Sequence, residues 1–303
     1  MLDEKNKQRI IGEGAVLLSA VCFAMTSMLI KTAFSLDLSP LQILALQSWI
    51  ASLLLLLYGL IFNRKIFVVS KRNAVILVFQ GLIGSLGTSL FYAYALLYLP
   101  VSVATLLLYL YPVLVLGAGV VFLHKKVGLM EKTALACTFV GTTLASGSFS
   151  GFEGIPLLGV LLGIIAAITY AFFNVVGEVA LQEVSPLTAM AYSQWFSSLG
   201  LIFYLKGNIL QLPWSNLDIW GIGLALATIA SIVPFYLIMF GIQKVGSDRA
   251  SILSTFELPV TFVMAALILK EIPRLAQWAG GGFVLVGIIL LNWRSSHERE
   301  QTG

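Results

Sequence analysis

The chain has 303 residues, of which 59% are apolar and 11% charged, with a formal net charge of +4. Soluble domains lie near ~45–50% and ~25% on the same two scales, so this composition excludes an ordinary soluble domain. No basic tract interleaved with aromatics is present, which excludes nucleic acid as a partner, and the charges gather between apolar runs long enough to cross a bilayer.

Breaks at Pro, Gly and charged clusters predict ten helical spans. The first lies near 10–33. Its basic start (Lys5, Lys7, Arg9) imitates a signal peptide, but the apolar run continues to about Ile30 and is expected to remain as an uncleaved span. Cys22 within it, like Cys137 further on, reads as a small buried hydrophobe. Lys31 at its end is expected to snorkel to the outer surface. The second span, near 40–62, carries Gln47 and Trp49, an amide and an indole suited to a cavity wall. In the third, near 73–97, Gln80, Gly84, Gly87 and Phe91 share one stripe. Gly81-x-x-Gly84-x-x-Gly87 reads as close helix packing, with Gln80 a candidate contact. Spans four and five lie near 100–123 and 129–147. Tyr92, Tyr94, Tyr109 and Tyr111 gather in the outer half of spans three and four, as belt or gate residues. His124, beside Lys125-Lys126, is expected to be solvated.

The stretch from Ser146 to Pro156 is small, polar and flexible in composition, a joint between two halves at 1–148 and 149–303. Span six, near 156–181, carries Tyr170, Asn174 and Glu178 at steps of four on one face. Glu178 lies about one turn from the end and is read as reaching the interface. Span seven, near 187–205, brings Gln194 and Trp195, and span eight covers about 219–243. In span nine, near 247–269, Glu257 falls close to mid-membrane, flanked at one helical turn by Ser254 and Thr261. A carboxylate at that depth costs about 2.5–3.5 kcal/mol on insertion scales and must face protein or water. It is the sharpest candidate for binding a substrate amine or carrying a proton. The competing reading is a structural hydrogen bond beside Pro259, which frees the carbonyl of Thr255. Span ten lies near 274–293.

The halves are copies. Ser39-Pro40-Leu41 recurs as Ser185-Pro186-Leu187, an offset of 146 residues that also relates Trp49 to Trp195, Ser52 to Ser198, and Val140-Gly141 to Val286-Gly287. Five spans per copy is an odd number, so the second copy must run through the membrane in the opposite sense. The expected fold is all-α, with ten transmembrane helices as two inverted five-helix repeats, an arrangement suited to alternating access. Lys and Arg concentrate at the N-terminus, Arg64-Lys65, Lys71-Arg72, Lys125-Lys126 and the C-terminal tail. Lys31, Lys206, Lys270 and Arg274 fall on the other side. Both termini are therefore expected in the cytoplasm.

In the second copy Ala250-Ser251, Phe256-Glu257-Leu258-Pro259, Leu269-Lys270-Glu271 and Val286-Gly287 answer to Ala104-Thr105, Leu110-Tyr111-Pro112, Leu123-His124-Lys125 and Val140-Gly141 in the first. With these pieces the chain resembles the EamA-type exporters of the drug/metabolite transporter superfamily, from about Gly12 to Asn292. The usual Gly-Glu ending spans four and nine is replaced here by His124-Lys125 and Lys270-Glu271. The resemblance implies export or exchange of small metabolites across the cytoplasmic membrane. Amino acids, including aromatic ones, nucleosides and amphiphilic drugs form the range, and the central cavity is lined by the first four helices of each repeat. The substrate-contact candidates are Glu257, Ser254, Thr261, Tyr170, Asn174, Gln47, Trp49, Gln194, Trp195 and Gln80. Within transport, a channel-like uniporter, a drug or nucleoside exporter and proton-coupled antiport are alternatives; outside it, a receptor or scaffold is the rival class. No cofactor, metal or catalytic constellation is expected, and the protein is read as a monomer in the bilayer.

Overall fold

The computed structural model describes residues 2–99, 101–146, 156–205, 216–268 and 275–300, and every regular element among them is helical. The helices are α1 (Leu2–Phe34), α2 (Pro40–Ile61), α3 (Lys71–Phe79), α4 (Gly87–Ala95), α5 (Val101–Leu108), α6 (Tyr111–Phe122) and α7 (Leu129–Ser146) in the first half. In the second they are α8 (Leu157–Ala180), α9 (Pro186–Leu205), α10 (Leu217–Ala227), α11 (Val233–Val245), α12 (Ser247–Ser254), α13 (Glu257–Ile268) and α14 (Leu275–Glu300). The joint after Ser146, the side chain of Lys31, and Lys206, Lys270, Glu271 and Arg274 lie outside the described residues.

Six stretches are long and apolar enough to cross a membrane: Asn6–Phe34, Pro40–Ile61, Lys71–Ala95, Val103–Phe122, Leu157–Ala180 and Leu217–Val245, with a shorter apolar helix at Leu275–Leu291. The surface is apolar, with Leu53, Phe122, Phe203 and Leu267 exposed, while Ser48, Thr142, Ser198 and Ser251 are buried. That inversion is expected where the solvent is lipid and helices associate through small and polar residues.

The repeated sequence pieces have local explanations. Ser39 caps α2 with a capping box: its hydroxyl accepts from Gln42 N at 3.3 Å, and the Gln42 side chain accepts from Ser39 N at 2.8 Å. Ser185 accepts in the same way from Thr188 N at 3.1 Å, and Pro40 and Pro186 each open the first turn of a helix, where no N–H is needed. The Val-Gly pairs bring α7 against α14. A Cβ on Gly141 would sit 2.6 Å from the Gly280 carbonyl, and one on Gly287 would sit 2.8 Å from the Ala134 carbonyl. Only a hydrogen fits at either place.

The major packing partners join the two halves: α1 with α11, α4 with α8, α2 with α9, α6 with α12, and α7 with α14. Between α3 and α4 the backbone widens into a π-helical segment, Gln80–Leu86, and between α10 and α11 into another, Thr228–Ile232. The offset of 146 carries the last five residues of the first segment onto the second. Wide turns of this kind recur at functional positions in helices.

Candidate functional site

Spans four and nine were expected as continuous helices; each is broken in the middle. α5 stops at Leu108 and α6 starts at Tyr111, while α12 stops at Ser254 and α13 starts at Glu257. Pro112 and Pro259 follow the breaks, and a proline ring excludes the carbonyl four residues earlier from the helical ladder. The Thr255 carbonyl is nevertheless occupied, accepting from Leu258 N at 3.1 Å, because the chain tightens into single three-residue turns there. The breaks face each other across the bundle.

At their meeting point the Tyr109 hydroxyl and the Glu257 carboxylate are electrostatic neighbours. Tyr92, Tyr111 and Tyr170 are close enough to interact electrostatically with the same carboxylate. The rings form a continuous group, with centroids 6.2 Å apart for Tyr109–Tyr111, 4.4 Å for Tyr111–Tyr170 and 6.2 Å for Tyr170–Phe173. Tyr111 donates to the Ser251 carbonyl at 3.1 Å, and the Tyr92 hydroxyl lies 2.8 Å from that of Thr105. Glu257 is only half-buried. Among the described residues no Lys, Arg or His forms an ion pair with it.

Its two flanking hydroxyls are committed to their own helices: Ser254 donates to the Ala250 carbonyl and Thr261 to the Glu257 carbonyl, both at 2.8 Å. Asn174 is 1% exposed, and its amide donates to the Tyr170 carbonyl at 2.8 Å. The Asn174 amide is thus turned onto its own helix rather than presented beside the Tyr170 ring. Sequence reading left Tyr109 and Tyr111 among belt or gate residues. The available signal was their position on either side of Leu110, which is the repeat mate of Glu257.

Gln47, Gln194 and Trp195 build a seam between α2, α9 and the second π segment, where a cavity wall was expected. Ser198 donates to the Ser48 carbonyl at 2.8 Å, and Ser52 to the Gln194 carbonyl at 3.2 Å. The offset of 146 exchanges these two bonds, so the contact maps onto itself when the halves are swapped. The two hydroxyls lie 2.6 Å apart. Gln194 donates to the Ser48 carbonyl at 3.4 Å, Gln47 to the Ala230 carbonyl at 3.3 Å, and Trp195 to the Ser52 carbonyl at 3.1 Å. Trp195 also stacks on Phe67 at 5.5 Å, while the buried Trp49 Nε1 has no hydrogen-bond partner. Gln80 opens the first π segment and donates to the Phe173 carbonyl at 3.2 Å; its buried Oε1 is unpartnered. Gly81, Gly84 and Gly87 face Ser193, Phe173 and Thr169, as expected for close packing.

The end of α12 away from Glu257 carries a charge network that the sequence did not reveal. His124 ends α6 in the left-handed conformation (φ 52°), and Lys125 N bonds back to the Gly119 carbonyl at 3.0 Å. This turns the Lys125 ammonium onto Glu178, at 2.7 Å, and Asp248, at 3.0 Å. Glu178 also accepts from Ser247, through its N–H at 2.8 Å and its hydroxyl. It is therefore a bridging group rather than a lone interfacial charge. Gly246 (φ +82°) provides the turn from α11 that aims Ser247 at it. Beside this, Arg249 contacts Glu13 at 2.7 Å and the Leu291 carbonyl at 2.8 Å, and Arg9 contacts Glu13 at 2.8 Å.

Comparison with known proteins gives a consistent picture. A family described as the EamA-like transporter family matches residues 10–147 and, a second time, 157–293. The uncharacterized transporter YcbK of Bacillus subtilis is 24% identical over 94% of this chain and 96% of its own length. The uncharacterized inner membrane transporter YicL of Salmonella typhimurium is 25% identical over 80% and 81%. An uncharacterized transporter of Archaeoglobus fulgidus is 27% identical over 64% and 67%. A solved crystal structure superposes with TM-score 0.79 over 96% of this chain and 98% of the other, at 17% identity, a likeness of fold.

Proposed function

Because the chain belongs to the EamA-like transporter family and is a multi-pass membrane transporter rather than an enzyme, we propose that it exports amino acids or related amphiphilic compounds by alternating access. Ten spans form two inverted halves, 1–148 and 149–303, in the cytoplasmic membrane with both termini inside. The observation that carries this reading is the exchanged pair of bonds, Ser198 to Ser48 and Ser52 to Gln194. Reciprocal contacts between a residue pair and its repeat mates are the signature of a two-fold relation, and an odd number of spans per copy supports an axis in the membrane plane. The exchanged packing of α1 on α11 and α8 on α4 supports the same axis.

Substrate occupies the space where the two broken helices meet, with the half-buried Glu257 as the charge and the tyrosine rings as its walls. The Lys125–Glu178–Asp248 bridge joins the halves at one end, which supports a state closed there and loaded from the other. Transport then requires this bridge to open while the α2–α9 seam holds. Counterflow in proteoliposomes across aromatic amino acids, nucleosides and amphiphilic drugs tests the reading. Saturable exchange of at least one class is expected, and no carrier-dependent flux for any of them refutes it.

A further inference from the structure

The Glu257 carboxylate has tyrosine rings and hydroxyls as its neighbours, and among the described residues no base forms an ion pair with it. The paired cations Lys125 and Arg249 stand at the far end of α12, eight residues or roughly 12 Å along the helix, and each is already held by acids. A carboxylate partly withdrawn from water takes up a proton or finds a positive partner. Two of the surrounding hydroxyls are engaged elsewhere, Tyr111 on the Ser251 carbonyl and Tyr92 with Thr105. What these tyrosines present is ring rather than donor, and ring faces attract cations. A second carboxylate would meet the charge of Glu257 with no guanidinium or ammonium of the described residues paired to it.

Resting on the reading of this cluster as the transport site, and narrowing its substrates from amino acids to the related amphiphilic compounds, we propose that it selects a monocationic organic amine with an apolar or aromatic body. The ammonium would sit on Glu257 with the body against Tyr111 and Tyr170. Zwitterionic amino acids carrying the same body would be discriminated against.

Four probes of nearly one shape test the charge requirement on the full chain, in detergent for binding and in proteoliposomes for counterflow. They are phenethylamine (cation), phenylalanine (zwitterion), 2-phenylethanol (neutral) and 3-phenylpropanoate (anion). Phenethylamine is expected to bind at least tenfold tighter than the other three, and Glu257→Gln is expected to remove that preference. Equal or tighter binding of phenylalanine or phenylpropanoate overturns the proposal, as does absence of phenethylamine binding. The wild-type series does not depend on any variant folding. If phenylalanine is exchanged and Glu257→Gln abolishes that exchange, the site stands and the charge selection falls. If every flux survives Glu257→Gln in a protein that melts as wild type, the site itself falls.

Discussion

The ammonium of Lys125 lies 2.7 Å from the carboxylate of Glu178, and the two residues belong to opposite copies of the repeat. Asp248 shares the same ammonium. The three side chains are partly shielded, at 25%, 18% and 22% exposure, so the bridge lies between a surface pair and a fully buried one. Lys125→Met leaves two acids facing each other and is expected to cost about 2 kcal/mol, seen as a lower melting temperature in detergent. Adding Glu178→Gln and Asp248→Asn should restore most of the loss, and additive further losses would contradict the bridge.

Opening of that end can be read separately. A cysteine placed at Ser251, one turn inside the bridge and buried, should become accessible to a membrane-impermeant thiol reagent in Lys125→Met. The double substitution Cys22→Ser with Cys137→Ser provides the background. Unchanged labelling would show that the bridge does not hold this end shut.

Glu257→Gln keeps the size of the side chain while removing the charge. The expected outcome is a folded protein without substrate exchange. Tyr109→Phe retains the ring and loses only the hydroxyl beside Glu257, so exchange should fall by a few-fold rather than vanish. Counterflow of one substrate through both variants checks the ordering, and a Tyr109→Phe protein as inactive as Glu257→Gln would contradict it.

The α2–α9 seam predicts a coupled pair. Ser52→Ala and Ser198→Ala each remove a hydroxyl that donates to the opposite helix, with an expected cost of roughly 0.5–1.5 kcal/mol apiece. Because the hydroxyls also touch each other at 2.6 Å, the double variant should lose less than the sum of the single losses. Melting curves of the four proteins check this. Additivity would place the two serines in separate environments.

Close packing of α7 on α14 predicts that Gly141→Ala and Gly287→Ala each destabilise the protein by about 1–3 kcal/mol. Backbone carbonyls stand where the new methyl groups would go. The control is Gly117→Ala, where nothing lies within 4 Å, and a loss there equal to the other two would remove packing as the cause.

Glu257 could be singled out in advance because a carboxylate deep in an apolar run is costly and conspicuous. Its partner could not. Tyr109 is one of several tyrosines near a helix end, and only the meeting of the two broken helices selects it. Gln47, Gln194 and Trp195 were read as cavity wall on the strength of their chemistry, which fits a helix–helix seam equally well. In the sequence Lys125 is one of the charges that set orientation, and only the left-handed turn at His124 aims it at Glu178 and Asp248.

The sequence by itself determined that this protein is a duplicated set of apolar helices, and where many of them begin. In lipid each backbone segment must satisfy its own hydrogen bonds, so helix formation is a local property written in composition and caps. Tertiary structure decided which polar groups meet. A helix apolar on nearly every face carries no direction in its pattern. The pairing of Tyr109 with Glu257, or Lys125 with Glu178, is set by contacts between chain segments far apart in sequence.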